Sequence, residues 1–424
     1  MEKIIVILII SLMVVSGCGE KSPTKSEPDP ESFLTPQQVL PNIMRGINIG
    51  NTLEPPDEAG WNAGPLQEYY FDDYKEAGFT CIRIPVRWGP HTAESSPFEV
   101  GSAWMARIEQ VVDWGLERGL YLIINGHHEE WLKNDFSQEN QTRYDSIWSQ
   151  IAVRFKDKSP RLMFEMINEP QGLTIEQVDA LNSRLLSIIR KSNPRRIVIL
   201  SGNGWSALED MMNAAIPDDD YLMAYWHAYN PWSFAGEGNG TWGNENDRHA
   251  IYEMFALAAA WSQSHNIPVM ISEFGAIHAC DYNSRMIHYY TYVEAAIDNN
   301  VAFMAWDDDG GFKIYEREDR LWPEVKDILI HGYPDGPDKL MVQQNFTDAV
   351  LHWQNRTSQN SGIVIERAND NFRFSEVAQL SADIVQYTDT TIVSDSTYYY
   401  RVISKMDDGT DKYSYPVRIS LVKK

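Results

Sequence analysis

Eight short apolar runs alternate with longer stretches whose apolar residues recur every three or four positions. No other feature restricts the fold of this chain as much. The runs fall at 46–50, 80–86, 121–125, 162–167, 197–201, 222–227, 269–272 and 302–306. Several are unbroken, such as Tyr-Leu-Ile-Ile and Ile-Val-Ile-Leu, and an unbroken apolar strand is one covered on both faces, as in a parallel sheet. The stretches between read as amphipathic helices. In 104–118, Ile108, Val111, Val112 and Leu116 share one helix face; in 175–191, Val178, Leu181, Leu185, Ile188 and Ile189 repeat the spacing. The segments 252–263 and 285–296 complete the pattern. Eight strands with intervening helices in about 300 residues predict a (β/α)8 TIM barrel. A doubly wound open sheet is the alternative, but no GxGxxG or phosphate loop follows any run, so its nucleotide-binding form has no support.

The pattern changes at the Pro/Gly-rich segment 332–339 (GYPDGPDK). Beyond it the helical period disappears, and 349–353, 362–367 and 397–403 read as short strands separated by turns. Such a segment suggests a small all-β sandwich. It resembles a fibronectin type III domain of the immunoglobulin-like class, with Trp353 in the second strand, IVIER in the third and YYYRV in the sixth. Tyr398, Tyr400 and Val402 share a face there by period-two alternation, Tyr398 standing as the corner tyrosine. The expected organisation is a barrel over 33–335 and a sandwich over 340–424.

The start of the chain reads as an address. Lys3 precedes an apolar run over 4–15, about a dozen residues against the roughly 20 that span a bilayer, which fits an export signal. The exit Val15-Ser16-Gly17-Cys18 resembles the bacterial lipoprotein box. That resemblance implies a signal peptide over 1–17, lipidation of Cys18, a Pro/Ser-rich tether over 18–32, and a protein anchored in the cell envelope, at the outer membrane or cell surface or facing the periplasm. Of the other two cysteines, Cys81 lies in an apolar run and reads as a core thiol. The 60 acidic and 36 basic side chains give a formal charge of −24. A polyanion would be repelled, so neither nucleic acid nor an anionic lipid surface is expected as a partner, and contact with the membrane is expected only through the lipid anchor. A monomer is expected.

In a parallel barrel the chemistry lies at the carboxyl ends of the strands. Here those ends carry Asn51, Thr52 and Glu54; His127 and His128; Asn168 and Glu169; His227 and Tyr229; Glu273; and Trp306, with Arg83 inside the second run. Glu169 and Glu273 end the fourth and seventh runs. Two carboxyl groups across a cleft can hydrolyse a glycosidic bond, with retention at about 5–5.5 Å separation and inversion at about 6.5–9.5 Å.

The strings RGINIGNTLE, GFTCIRIPVRW, GLYLIINGHHEE, LMFEMINEP, HAYNP, IPVMISEFGA and AFMAWDDDG, in this order from Arg45 to Gly310, resemble glycoside hydrolase family 5, and the first of them resembles its bacterial endo-β-1,4-glucanases, including members that also cut mannan. The resemblance implies Glu169 as general acid/base, its pKa raised by its surroundings, and Glu273 as nucleophile supported by Arg83. It implies Asn168 at the sugar 2-hydroxyl, His127, His227 and Tyr229 around the reacting sugar, and Trp306 as its aromatic floor. Asn51, Glu54 and His128 are expected to face the cleft, and Trp61, Trp88, Trp131, Trp232 and Trp242 are candidate sugar platforms. Asp307-Asp308-Asp309 and the His127-His128 pair raise the question of a metal. Consecutive side chains do not converge, and the histidines lack a third ligand, so no metal and no cofactor are expected. The loop 231–246 departs from the family pattern and leaves the polysaccharide open. A β-linked glucan, cellulose-type or mixed-linkage, is the first candidate substrate, with mannan, glucomannan or xyloglucan as alternatives; a non-catalytic glycan-binding lipoprotein is a more distant alternative.

Overall fold

The computed structural model describes residues 32–61, 64–370 and 373–422. The signal peptide, Cys18 and nearly all of the tether lie outside the described residues. Eight parallel strands close into a barrel: β1 (Arg45–Asn48), β2 (Cys81–Ile84), β3 (Tyr121–Asn125), β4 (Leu162–Glu165), β5 (Val198–Leu200), β6 (Leu222–His227), β7 (Val269–Phe274) and β8 (Ala302–Ala305). β1 pairs with both β2 and β8, which closes the ring. Each strand falls within the run expected to form it, save that β1 begins one residue early and β7 extends two residues further, through Glu273.

Period-two alternation divides the barrel interior into layers. Cys81, Ile123, Met163, Ile199, Met223, Met270 and Met304 fill the lower part, and Val39, Leu40 and Ile43 from the segment before β1 cap it from below. Gly46 faces this packing: a Cβ there would lie 2.0 Å from Met304 Sδ, so glycine alone fits. Two residues further along each strand the interior becomes polar. Asn48, Arg83, Asn125, Glu165 and Ser272 are all fully buried, and this layer is the floor of the site. The outer face of the strands packs on the helices through a separate apolar core. Both remaining cysteines are free and buried, Cys81 in the barrel interior.

The helices Tyr69–Ala77 and Gln138–Arg154 have no counterpart among the stretches read from the sequence, and one expected helix starts earlier than its apolar period. The periodic stretch at 252–263 belongs to a longer helix, Glu245–His265, whose first two turns are mostly polar. Asn244 caps it by accepting from the amides of Asn246 and Asp247, and the Asp247 carboxylate returns a bond to the Asn244 amide. The two bonds between Asn244 and Asp247 together form a capping box.

Eight antiparallel strands follow: β9 (Asp338–Asn345), β10 (Asp348–Gln354), β11 (Asn360–Ala368), β12 (Ser375–Leu380), β13 (Gln386–Asp389), β14 (Thr397–Met406), β15 (Asp411–Tyr413) and β16 (Val417–Ser420). They form a sheet of order β13-β10-β9 and a second of order β12-β11-β14-β15, with β16 also on β14. Tyr398, Tyr400 and Val402 face the core between the sheets, and the Tyr398 hydroxyl accepts from the amide of Val393.

Barrel and sandwich belong to one unit, Phe33–Lys424, and charge joins them. Arg248 on the helix Glu245–His265 donates to Asp338 at the start of β9 and to Glu294 on the helix Tyr282–Asp298. Arg356, after β10, bonds the same Glu294 and lies 3.4 Å from Asp338. Two cations and two carboxylates thus alternate in a nearly closed ring, with Glu294 and Asp338 only 1% and 6% exposed. Removing one member leaves a buried charge uncompensated, which costs about 3–5 kcal/mol in comparable sites. Arg248→Met is therefore expected to lower the unfolding free energy by about 3 kcal/mol in a denaturant titration; a loss below about 1 kcal/mol would contradict this role for the ring.

Candidate active site

The floor of the site is built around one side chain. Arg83, on β2, is fully buried, and its five N–H groups reach four residues. Nε donates to Glu165 Oε2 at 2.7 Å and Nη2 to Glu165 Oε1 at 2.6 Å. Nη1 donates to Asn48 Oδ1 at 2.9 Å and to Glu273 Oε1 at 2.6 Å, and Nη2 also reaches Asn168 Oδ1 at 2.7 Å. Burial alone would lower the guanidinium pKa, but Glu165 and Glu273 outweigh it and raise it, so Arg83 remains a cation.

Glu273, near the end of β7, is held from two sides, by Arg83 at one oxygen and by the Tyr229 hydroxyl, which donates to Oε2 at 3.0 Å. Burial, then the charges of Glu273 and Glu169, push the Tyr229 phenol well above its ordinary range, so it keeps the proton it donates. Glu169 lies just past β4 with φ of +39°, a conformation that non-glycine residues rarely adopt. The Tyr225 hydroxyl holds it there, donating to Ile167 O at 2.6 Å and accepting from the Glu169 amide at 3.3 Å. His227, at the end of β6, places Nδ1 2.8 Å from Glu169 Oε1 and 3.6 Å from Glu273 Oε2, with Nε2 on Ser272 Oγ at 3.0 Å. One oxygen of each glutamate and the His227 nitrogen lie within 4.8 Å of one another.

The expectation of a raised Glu169 pKa is corrected. Burial does raise it, but the hydrogen bond and charge of His227, with Lys133 and Arg83 behind, outweigh burial and lower it. His227 Nδ1 lies 2.8 Å from Glu169 Oε1, the contact through which the histidine acts on the carboxyl.

Asn168 is nearly fully buried; with Oδ1 committed to Arg83, its NH2 group is the part left to turn toward Glu169, 3.5 Å away. Asn125 accepts from the Val86 amide and donates to Glu165 and to His127 Nδ1. His127 therefore carries its proton on Nε2. Burial, then the charges of His128 and Arg83, hold its pKa well below the ordinary value, and it stays neutral.

Above this floor lies a cleft of ≈ 640 Å³, lined by His127, His128, Glu169, Trp205, His227, Tyr229, Trp232, Glu273, Trp306 and Phe312 among others. The Trp306 and His127 rings are parallel to within 9° across it. Trp205 and Trp232 are 64% and 56% exposed, as open aromatic faces on the cleft wall require.

Several expectations need correction. Glu54 and Asn51 do not line the cleft. Glu54 is fully buried and accepts from the amides of Asn51 and Thr52, tying the loop after β1; the Asn51 amide side chain donates to Asp308 O. Trp88 and Trp242 are buried and cannot serve as platforms. Trp131 donates to Glu129 and has the Arg143 guanidinium over its ring. Trp61, 45% exposed, meets His128 edge-on. Asp307 is paired with Arg317 at 3.2 Å, and Asp308 accepts from the amides of Gly310 and Phe312. Sequence reasoning missed Glu165, Trp205 and Phe312. A lone charge inside the apolar run Leu-Met-Phe-Glu was the available signal for Glu165, because a buried carboxylate demands a partner.

Residues 44–310 match the model of the family described as Cellulase (glycosyl hydrolase family 5). The chain belongs to glycosyl hydrolase family 5. It is similar to Endoglucanase H of Acetivibrio thermocellus, at 42% identity over 320 residues, covering 72% of this chain and 35% of that protein. It spans 47% of a second curated relative, the cellulase/esterase CelE of the same organism, at 28% identity. Among solved structures, Thermotoga maritima Cel5A in complex with mannotriose matches at 31% identity and TM-score 0.66, over 69% of this chain and 98% of that one. A tri-modular endo-β-1,4-glucanase of Bacillus licheniformis complexed with cellotetraose matches at 28% identity and TM-score 0.76, over 90% of this chain and 78% of that one. These family 5 relatives share the barrel, and the Bacillus chain aligns beyond it.

Glu54 supplies a pH test. Burial pushes its carboxyl up to about 7, against bonds from Asn51 and Thr52 that lower it. The folded chain then binds this proton more tightly than the unfolded chain, so its contribution to stability falls as pH rises from the ordinary carboxyl range to about 7. Measured by urea unfolding, the stability of the wild type relative to Glu54→Gln is expected to drop by about 2–3 kcal/mol between about pH 4.5 and 8. A difference independent of pH would contradict this reading of Glu54.

Proposed function

We propose that the chain is a retaining endo-β-1,4-glucanase, with Glu273 as nucleophile and Glu169 as acid/base. The observation that carries this reading is the approach of the two carboxylates within 4.8 Å on the floor of an open, aromatic-walled cleft. One oxygen of each within 4.8 Å favours the shorter, retaining separation over the wider one that inversion uses. The names of the relatives, endoglucanases for the most part, support the substrate class.

The geometry suits two displacements. Arg83 and Tyr229 each donate to one oxygen of Glu273 and hold it in place, as a carboxylate nucleophile requires. Sugar in the cleft shields Glu169 from water, which strengthens the burial effect that favours its protonated form. Glu169 then protonates the departing glycosidic oxygen as Glu273 Oε2 attacks the anomeric carbon. Esterification of Glu273 removes a negative charge next to Glu169, which favours its ionised form, and Glu169 takes a proton from the incoming water. In this reading the Asn168 amide donates to the sugar 2-hydroxyl and the Trp306 face stacks beneath the ring, supported by the commitment of Asn168 Oδ1 to Arg83 and the presence of Trp306 on the cleft lining. A mannan or glucomannan reading also has support, because Thermotoga maritima Cel5A has been solved with mannotriose as well as cellobiose.

A hydrolysis panel of carboxymethyl-cellulose, mixed-linkage β-glucan, xyloglucan and glucomannan tests the substrate. Reducing-end release is expected on carboxymethyl-cellulose and mixed-linkage glucan, with Glu169→Gln and Glu273→Gln each lowering kcat at least about a thousandfold. Turnover that survives both substitutions would defeat the assignment.

A further inference from the structure

We propose that Lys133 is a positioning residue for Glu169: its buried ammonium is the fixed positive charge behind that carboxyl and ties down the loop that carries it. The proposal rests on the reading of Glu169 as the acid/base.

Lys133 lies on the short helix Glu130–Asn134, after β3, and its side chain is 2% exposed. A buried ammonium is costly unless something nearby uses its charge. Its Nζ donates to Gln171 Oε1 at 3.3 Å, and the Gln171 amide donates to Glu169 O at 2.7 Å, so ammonium and acid/base loop form one hydrogen-bonded chain. The helix also touches the loop directly, since a Cβ at Gly172 would lie 3.1 Å from Lys133 O.

Glu130, 3.8 Å from Nζ, is the largest charge supporting Lys133, and Glu169 is the next. Glu129 is already satisfied by the amides of Trp88 and Gly89 and by the Trp131 indole. Glu130 is 38% exposed and is also approached by Arg87 and His128. Burial lowers the Lys133 ammonium, Glu130 and then Glu169 raise it against that, and Lys133 in turn lowers the Glu169 carboxyl. The other groups facing Glu169 are His227 from β6, Arg83 from β2, and Glu273 with its partner Tyr229. Lys133 therefore favours the ionised Glu169 that the second displacement needs, and sets how far toward alkaline pH the proton-donating form persists.

The test is the pH profile of kcat/KM on carboxymethyl-cellulose for the full chain and for Lys133→Met. The alkaline limb is expected to move up by about half to one pH unit in the variant, with kcat reduced and KM within about twofold of wild type; Lys133→Arg is expected to keep the limb in place. Lys133→Gln, whose amide can still meet Gln171, carries the same expectation as the methionine if that variant does not fold. An unmoved limb in a folded, charge-free variant overturns the proposal, whatever its kcat. Glu169→Ala, run alongside, separates the two possible failures. Retained turnover there overturns the acid/base reading itself. Lost turnover there with an unmoved limb at position 133 overturns only the role of Lys133.

Discussion

The site depends on a guanidinium placed where a barrel ordinarily keeps hydrocarbon. Arg83 points into the interior from β2, and nothing but protein can satisfy its donors there. Every one of its N–H groups finds an oxygen, on Asn48, Glu165, Asn168 and Glu273. These acceptors come from β1, β4, the loop after β4, and β7, so one cation fixes the relative height of three strands and one loop. A buried ion pair is not strongly stabilising in itself, because desolvation offsets most of the attraction. What it provides is geometry: any displacement of Glu273 or Asn168 leaves a buried charge or donor unpaired.

That constraint extends outward through shared partners. Glu165, held by Nε and Nη2 of Arg83, also accepts from Asn125, which in turn fixes the tautomer of His127. Glu273 accepts from Tyr229, and His227 spans the gap to Glu169. Glu169 itself occupies a strained backbone conformation held by Tyr225. Strain of this kind persists only where the surroundings over-determine it, and here they do, through the barrel floor below and Lys133 and Gln171 behind. The sandwich lies far along the sequence from this floor, but its Asp338 and Arg356 complete a charge ring with barrel helices, so it is built into the same unit.

Much of this was legible in the chain, and the reason is covalent. The strands are unbroken apolar runs, and their ends are marked by the first polar residues after them, so the positions of Glu169, Glu273, His127, His227 and Trp306 could be read directly. Side-chain direction past a strand end could not. Asn51 and Glu54 stand at such an end, yet Glu54 turns into its own loop, where a tight turn at Asn51 aims the amides of residues 51 and 52 at its carboxylate, and the Asn51 side chain reaches Asp308 O after β8. Glu165 was missed because an apolar pattern hides a single interior charge. Trp205 was missed because it lies in the loop beyond Ser201 and Asn203 and not at the end of β5 itself. The direction of the Glu169 pKa was misjudged for another reason: sequence shows burial but not a histidine nitrogen 2.8 Å away.

The central claim is that the barrel floor holds Glu169 and Glu273 close enough for direct attack on the sugar. Stereochemistry tests it most directly. Proton NMR of a cello-oligosaccharide during the first moments of hydrolysis, before mutarotation, should show the β-anomer of the new reducing end appearing first. Initial accumulation of the α-anomer would mean that a water, not Glu273, attacks the anomeric carbon, and would contradict the account.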